Sequence, residues 1–131
     1  SRNEHELAFD DATMGGKVTI ETAAGHTITL DDSMGSEKIT VEDKSGSNSM
    51  TMDSVKGKVS VSADKELSLD AQTIKLKAKK KVDISAKKKV SVSGKTGVDV
   101  SGGQLKLESN ANAKLKAGAM LTVKGALVKI N

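Results

Sequence analysis

The 131-residue chain has no cysteine, proline, tryptophan or tyrosine, and Phe9 is its single aromatic residue. The missing cysteines exclude a disulfide scaffold, a thiolate zinc site and a cysteine nucleophile together. The near-absence of rings removes the side chains that normally fill a compact globule of this length, because each ring buries much area at few points. What remains is Val, Ile, Leu, Ala and Met, a set suited to a thin interior. Without proline, nothing interrupts a backbone ladder. No run approaches the roughly 20 apolar residues of a membrane helix, and no charged n-region with an apolar h-region opens the chain. Ser1-Arg2 reads as a junction, and the chain as a fragment of something longer.

What is present is a repeat. An apolar residue, any residue and a second apolar residue recur as Val59/Val61, Leu67/Leu69, Ile74/Leu76, Val82/Ile84, Val90/Val92, Val98/Val100, Leu105/Leu107, Ala113/Leu115, Leu121/Val123 and Val128/Ile130, in steps of seven or eight positions. Four residues after each first member, except at the end, stands a small residue: Ala63, Ala71, Ala78, Ala86, Gly94, Gly102, Ser109, Ala117 and Gly125. Positions i, i+2 and i+4 of a strand share a face, so each unit predicts a strand with two apolar side chains and one small one facing inward. Helical amphipathicity needs spacings of 3 and 4, and the spacing within these units is 2.

The N-terminal part carries the same pair with longer links: Leu7/Phe9, Val18/Ile20, Ile28/Leu30, Ile39/Val41 and Met50/Met52, ten or eleven positions apart, then nine to Val59. Acidic turns with glycine follow several of them, as in Asp31-Asp32 before Gly35 and Glu42-Asp43 before Gly46, a chemistry that stabilises turns through side-chain acceptance and positive φ. The expected organisation is a wider part over residues 1–58 with 9–11-residue repeats and a narrower shaft over 59–131 with 7–8-residue repeats. Charge divides similarly: 6 basic against 11 acidic residues in 1–58, and 15 against 6 in 59–131, within a net charge of +4.

A unit of seven or eight residues is too short to encircle a packed interior but suffices for one face of a triangular prism. One chain would supply three faces in coils of about 23 residues, or three chains would each supply one face. The units look alike, as threefold symmetry requires. The expected fold is therefore all-β, an intertwined triple-stranded β-helix built as a homotrimeric needle, with a single-chain solenoid as the alternative.

The segments "GHTITLDDSMGSEKITVEDKSGSNSMTMDS" and "KVSVSADKELSLDAQTIKLKAKKKVDISAKKKVSVSG" resemble the C-terminal spike of valine–glycine repeat G (VgrG-type) proteins and of contractile phage baseplates. The resemblance spans essentially the whole chain; its "ITLDD" and "DKSG" portion is the more specific. It implies a membrane-piercing structural spike of a type VI secretion system, phage tail or related particle. It further implies hub and tube partners joined through N-terminal domains outside this chain, and a PAAR-repeat protein capping the tip. Assembly would occur in the bacterial cytoplasm or virion, followed by ejection to the outside or into a target cell. Some phage spikes end in a His-x-His segment that holds iron, whereas this chain ends "KGALVKIN", with only His5 and His26 near the start. A blunt end awaiting a cap is expected instead.

The candidate docking residues are Leu127, Val128, Ile130 and Asn131, because the last rung would leave unpaired strand backbone and an apolar cross-section; Met120 and Leu127 also break the polar exterior. The runs Lys79-Lys80-Lys81 and Lys87-Lys88-Lys89 read first as solubilising charges and second as an attractor for anionic lipid. With no aromatic stacking residues beside them, no nucleic-acid partner is expected. The acidic turns lack the alternating ligand spacing of a calcium loop. His26, in phase with Ile28 and Leu30, reads as packed or hydrogen-bonded. No G-x-S-x-G, P-loop or metal-ligand helix occurs, so neither enzyme activity, cofactor nor metal is expected. The rival reading, a secreted β-solenoid adhesin or glycan-binding rod, would need a flat, regular outward array of Thr or aromatic residues.

Overall fold

A computed structural model describes residues 3–131, so Ser1 and Arg2, and the junction expected there, lie outside the described residues. The chain is all-β, with no helix among the described residues and none long and apolar enough to cross a membrane. It forms two compact units, divided between Leu76 and Lys77. The switch in repeat length after Lys58 falls inside the first unit, in β6, and is a separate feature.

The first unit contains six strands of five residues each: β1 (Glu6–Asp10), β2 (Lys17–Glu21), β3 (Thr27–Asp31), β4 (Lys38–Glu42), β5 (Ser49–Asp53) and β6 (Lys58–Ser62). They pair antiparallel in sequence order as one open sheet. Every strand carries its expected apolar pair at the second and fourth positions. The register aligns these twelve residues into two columns on one face, Leu7–Ile20–Ile28–Val41–Met50–Val61 and Phe9–Val18–Leu30–Ile39–Met52–Val59.

The opposite face is equally ordered. Its middle column reads Ala8–Thr19–Thr29–Thr40–Thr51–Ser60, and one flank reads Asp10–Lys17–Asp31–Lys38–Asp53–Lys58. Opposite charges thus alternate along that flank, where cross-strand neighbours attract; Lys17 Nζ lies 3.2 Å from Asp31. The outward residues of this unit form regular columns because antiparallel pairing brings the last residue of one strand opposite the first of the next.

The rungs are also not all equivalent. Three successive hairpins repeat a bond made by the residue just before the odd-numbered strand: the Ala23 N–H donates to His5 Nδ1 at 3.1 Å, the Lys44 N–H to His26 Nδ1 at 3.1 Å, and the Asp64 N–H to Asn48 Oδ1 at 2.9 Å. Each donor lies two residues beyond the even-numbered strand, so the structural repeat is a hairpin of about 21 residues rather than a single strand. Gly15 serves a tight crossing between two turns: with φ of 131°, a methyl there would meet the Asp32 carbonyl and lie 2.5 Å from Ser33 Cα.

In the second unit, residues 77–131, no strand pairing occurs among the described residues and no backbone-to-backbone hydrogen bond forms. The segments carrying the apolar pairs are separated by bends at 79–80, 87–88, 95–96, 103, 110–111, 118–119 and 126–127. The small residue of each repeat stands immediately before its bend: Ala78, Ala86, Gly94, Gly102, Ser109, Ala117 and Gly125. At the glycines the bend folds a later carbonyl back over this position: a Cβ at Gly94 would strike the Gly97 carbonyl, and one at Gly125 would lie 3.2 Å from the Leu127 carbonyl. There the bend itself disfavours a larger side chain, a reason additional to the inward packing expected from the spacing, while Ala78, Ala86, Ser109 and Ala117 accommodate a Cβ.

The hairpin clamp makes a specific demand on residue 26. Because Asn48 makes the same bond in the third hairpin, His26→Asn is expected to leave the thermal midpoint of the sheet nearly unchanged. His26→Ala should lower stability by about 1 kcal/mol, the net worth of one such hydrogen bond, as read by circular-dichroism melting.

Candidate functional site

The apolar face is the main candidate surface. No residue is buried among those described, apolar or polar, and Phe9 and Val59 remain 69% and 66% exposed. The hydroxyl-rich middle column is the more sheltered one: Ala8, Thr19, Thr29, Thr40, Thr51 and Ser60 are all half-buried. Polarity and burial are therefore inverted within one chain. A folded monomer of this mass should expose about 6,600 Å²; this chain exposes 13065 Å². The excess is several times the ~800 Å² that one partner contributes to a standard interface.

On this face the first apolar column lines an open concavity of about 720 Å³, with Ile20, Ile28, Val41, Met50 and Val61 as its floor. His26 and Asn48 stand at its rim, held by the clamp bonds described above. His26 is thus hydrogen-bonded through Nδ1. A row of apolar side chains with a polar rim is shaped for packing against another apolar surface and contains no nucleophile–base pair. Among the described residues, no cluster of three His, Asp or Glu residues is arranged to hold a metal.

The acidic turns hold their carboxylates on the backbone and on neighbouring hydroxyls. Asp43 Oδ1 accepts from the Ser45 hydroxyl at 2.6 Å, and its Oδ2 from the Asn48 amide at 2.7 Å. Asp31 Oδ1 accepts from the Ser33 N–H at 2.9 Å. Hydrogen bonds from Ser45 and Asn48 hold the Asp43 carboxyl at about 2, and those from Ser33, with help from Lys17, hold Asp31 at about 2, against an ordinary 3.8.

The candidate tip residues sit in the last repeat. Leu127 closes the final bend, and Leu127, Val128 and Ile130 are 86%, 49% and 91% exposed; Asn131 is exposed as well. The preceding bend ends against Met120, also exposed. The lysine runs occupy the bends at 79–80 and 87–88, a placement their sequence alone did not reveal. The signal was available in the small residue that precedes each run.

Both depressed carboxyls favour the folded state while ionised. Their contribution is complete above about pH 4 and disappears as pH falls through about 2. Denaturant titrations of the intact chain should therefore show stability declining across that window. The double variant Asp31→Asn/Asp43→Asn should show a flatter profile there; an equal slope in both proteins would contradict the assignment.

Comparison with models of known protein families and with curated proteins returns no match.

Proposed function

We propose that this chain is a structural spike of a contractile injection machine, a β-helical needle of three identical copies that transmits the force of a contracting sheath to a narrow, capped tip. The observation that carries the reading is the complete lack of buried side chains, among the described residues, in a chain with so regular an apolar repeat. Such a chain is built to be covered by others, and identical copies are the simplest cover, since an equivalent face then meets an equivalent face. Residues 77–131 support the same reading, for their backbone finds no backbone partner within the chain and backbone groups need partners when buried. The sequence resemblance to VgrG-type and phage baseplate spikes supplies the machine. On this reading a PAAR-repeat cap docks on Leu127, Val128, Ile130 and Asn131, the N-terminal side joins a hub and tube, and the target membrane is met only in passage. The needle is ejected after assembly in the cytoplasm or virion and performs no catalysis.

The Thr19–Thr29–Thr40–Thr51 column favours a second reading as a glycan-binding or adhesive rod. That column is single, half-buried and flanked by Asp and Lys, which weakens it as a flat recognition array.

Native mass distinguishes a needle from a solitary rod. Light scattering should give three times the 13.6 kDa mass of one chain; a folded particle of 13.6 kDa would refute the needle. Removal of residues 127–131 should keep the trimer and abolish binding of a PAAR-repeat protein. Unchanged affinity of the shortened spike would remove the tip assignment.

A further inference from the structure

The bends of the second unit change chemistry along the chain. They read Lys79-Lys80, Lys87-Lys88 and Lys95-Thr96, then Gly103, Asn110-Ala111, Gly118-Ala119 and Ala126-Leu127. Five lysines therefore fall in three successive, evenly spaced bends, and Lys81 and Lys89 follow directly. Charge also divides at the boundary between the compact units. Residues 77–131 hold 13 Lys and no Arg against three acids, a net +10, whereas residues 1–76 hold 8 basic against 14 acidic residues, a net −6. Two of the three acids are already engaged, Asp83 with Lys81 and Glu108 with Lys106. Among the described residues no ion pair involves Lys79, Lys80, Lys87, Lys88, Lys89 or Lys95, and all six are exposed.

We propose that these lysine-bearing bends form a binding surface for the phosphate headgroups of an anionic membrane leaflet. Charge complementarity sets the sign of the ligand, and the type and spacing of the cations set its class. Lysine is a flexible point charge, whereas bidentate phosphate recognition uses the arginine fork, and this unit has no arginine. Single-stranded nucleic acid is held by aromatic stacking in a basic groove; residues 77–131 contain no aromatic side chain. Cations repeated at successive bends match an extended array of mobile phosphates. Each lysine near such a surface strengthens binding about fivefold, an effect screened by salt. The acidic first unit is repelled by the same surface, so attraction begins after Leu76. This surface deepens the needle reading without requiring it, because it is a property of one chain that assembly in threes would multiply.

The experiment uses the full chain and sedimentation with vesicles of phosphatidylcholine alone or mixed with phosphatidylglycerol, with native mass measured on the same samples. Binding should favour the anionic vesicles by about tenfold or more and weaken steeply with added salt, a result that needs no variant. The quadruple variant Lys79→Gln/Lys80→Gln/Lys87→Gln/Lys88→Gln should lose about tenfold or more in affinity at unchanged circular dichroism and mass, while Lys44→Gln/Lys56→Gln in the first unit should bind normally. Equal binding to both vesicle types, undiminished binding by the quadruple variant, or tighter binding to duplex DNA than to anionic vesicles would each overturn the proposal. A trimeric particle that ignores the anionic vesicles would sink this surface alone, and a solitary chain that binds them would sink the needle alone.

Discussion

Two columns of apolar side chains on one face of a six-stranded sheet, with nothing of the same chain over them, set the terms for everything else in this protein. The twelve residues from Leu7 to Val61 are aligned by backbone pairing, so pairing alone brings them side by side without removing them from water. On the needle reading proposed above, their burial comes from other copies of the chain. Covering apolar surface contributes roughly 25 cal/mol for each Å². On the needle reading folding and assembly are therefore linked, and stability depends on chain concentration.

The polar face determines which arrangement that cover meets. A slip of one residue would turn every apolar pair to the other side of the sheet. A slip of two would keep the faces but separate Asp10 from Lys17 and Asp31 from Lys38, so the alternating flank opposes the error that polarity alone permits. The clamps from His5, His26 and Asn48 then close each hairpin across its open end. Individually these exposed contacts are weak. Their value lies in repetition at every hairpin.

The six strands of the sheet were legible because the spacing of two is local: Val18/Ile20 or Met50/Met52 announces its strand without reference to any neighbour, whereas the nine pairs from Leu67/Leu69 to Val128/Ile130, read in the same way, form no strand among the described residues. The columns were not, because they depend on register, and register joins residues such as Asp10 and Lys17 across a turn whose length the pattern does not specify. His26 was read as packed or hydrogen-bonded; the structure shows the bond with the residue exposed, and its partner, the Lys44 N–H, is 18 residues away and belongs to no motif. The small residues before the bends were visible as a repeat; their link to a returning carbonyl at Gly94 or Gly125 required backbone geometry. The candidate tip residues Leu127, Val128, Ile130 and Asn131 stood out from the unpaired last rung and from Leu127 breaking the polar pattern, and the structure shows all four exposed to solvent.

Extended segments with unpaired backbone attract any other strand, and residues 77–131 consist of little else. Lysine is a natural guard for such edges, since like charges at the same place in three successive repeats oppose lateral association of wrong partners. The guard stands at the bends, leaving the apolar pairs Val82/Ile84 and Val90/Val92 free to pack. On the two readings proposed above, solubility before assembly and attraction to anionic surfaces afterwards follow from one placement. Toward the C-terminus the guard is lifted, with Gly118-Ala119 and Ala126-Leu127 at the last bends. The last two bends therefore lack the charge that the first three carry.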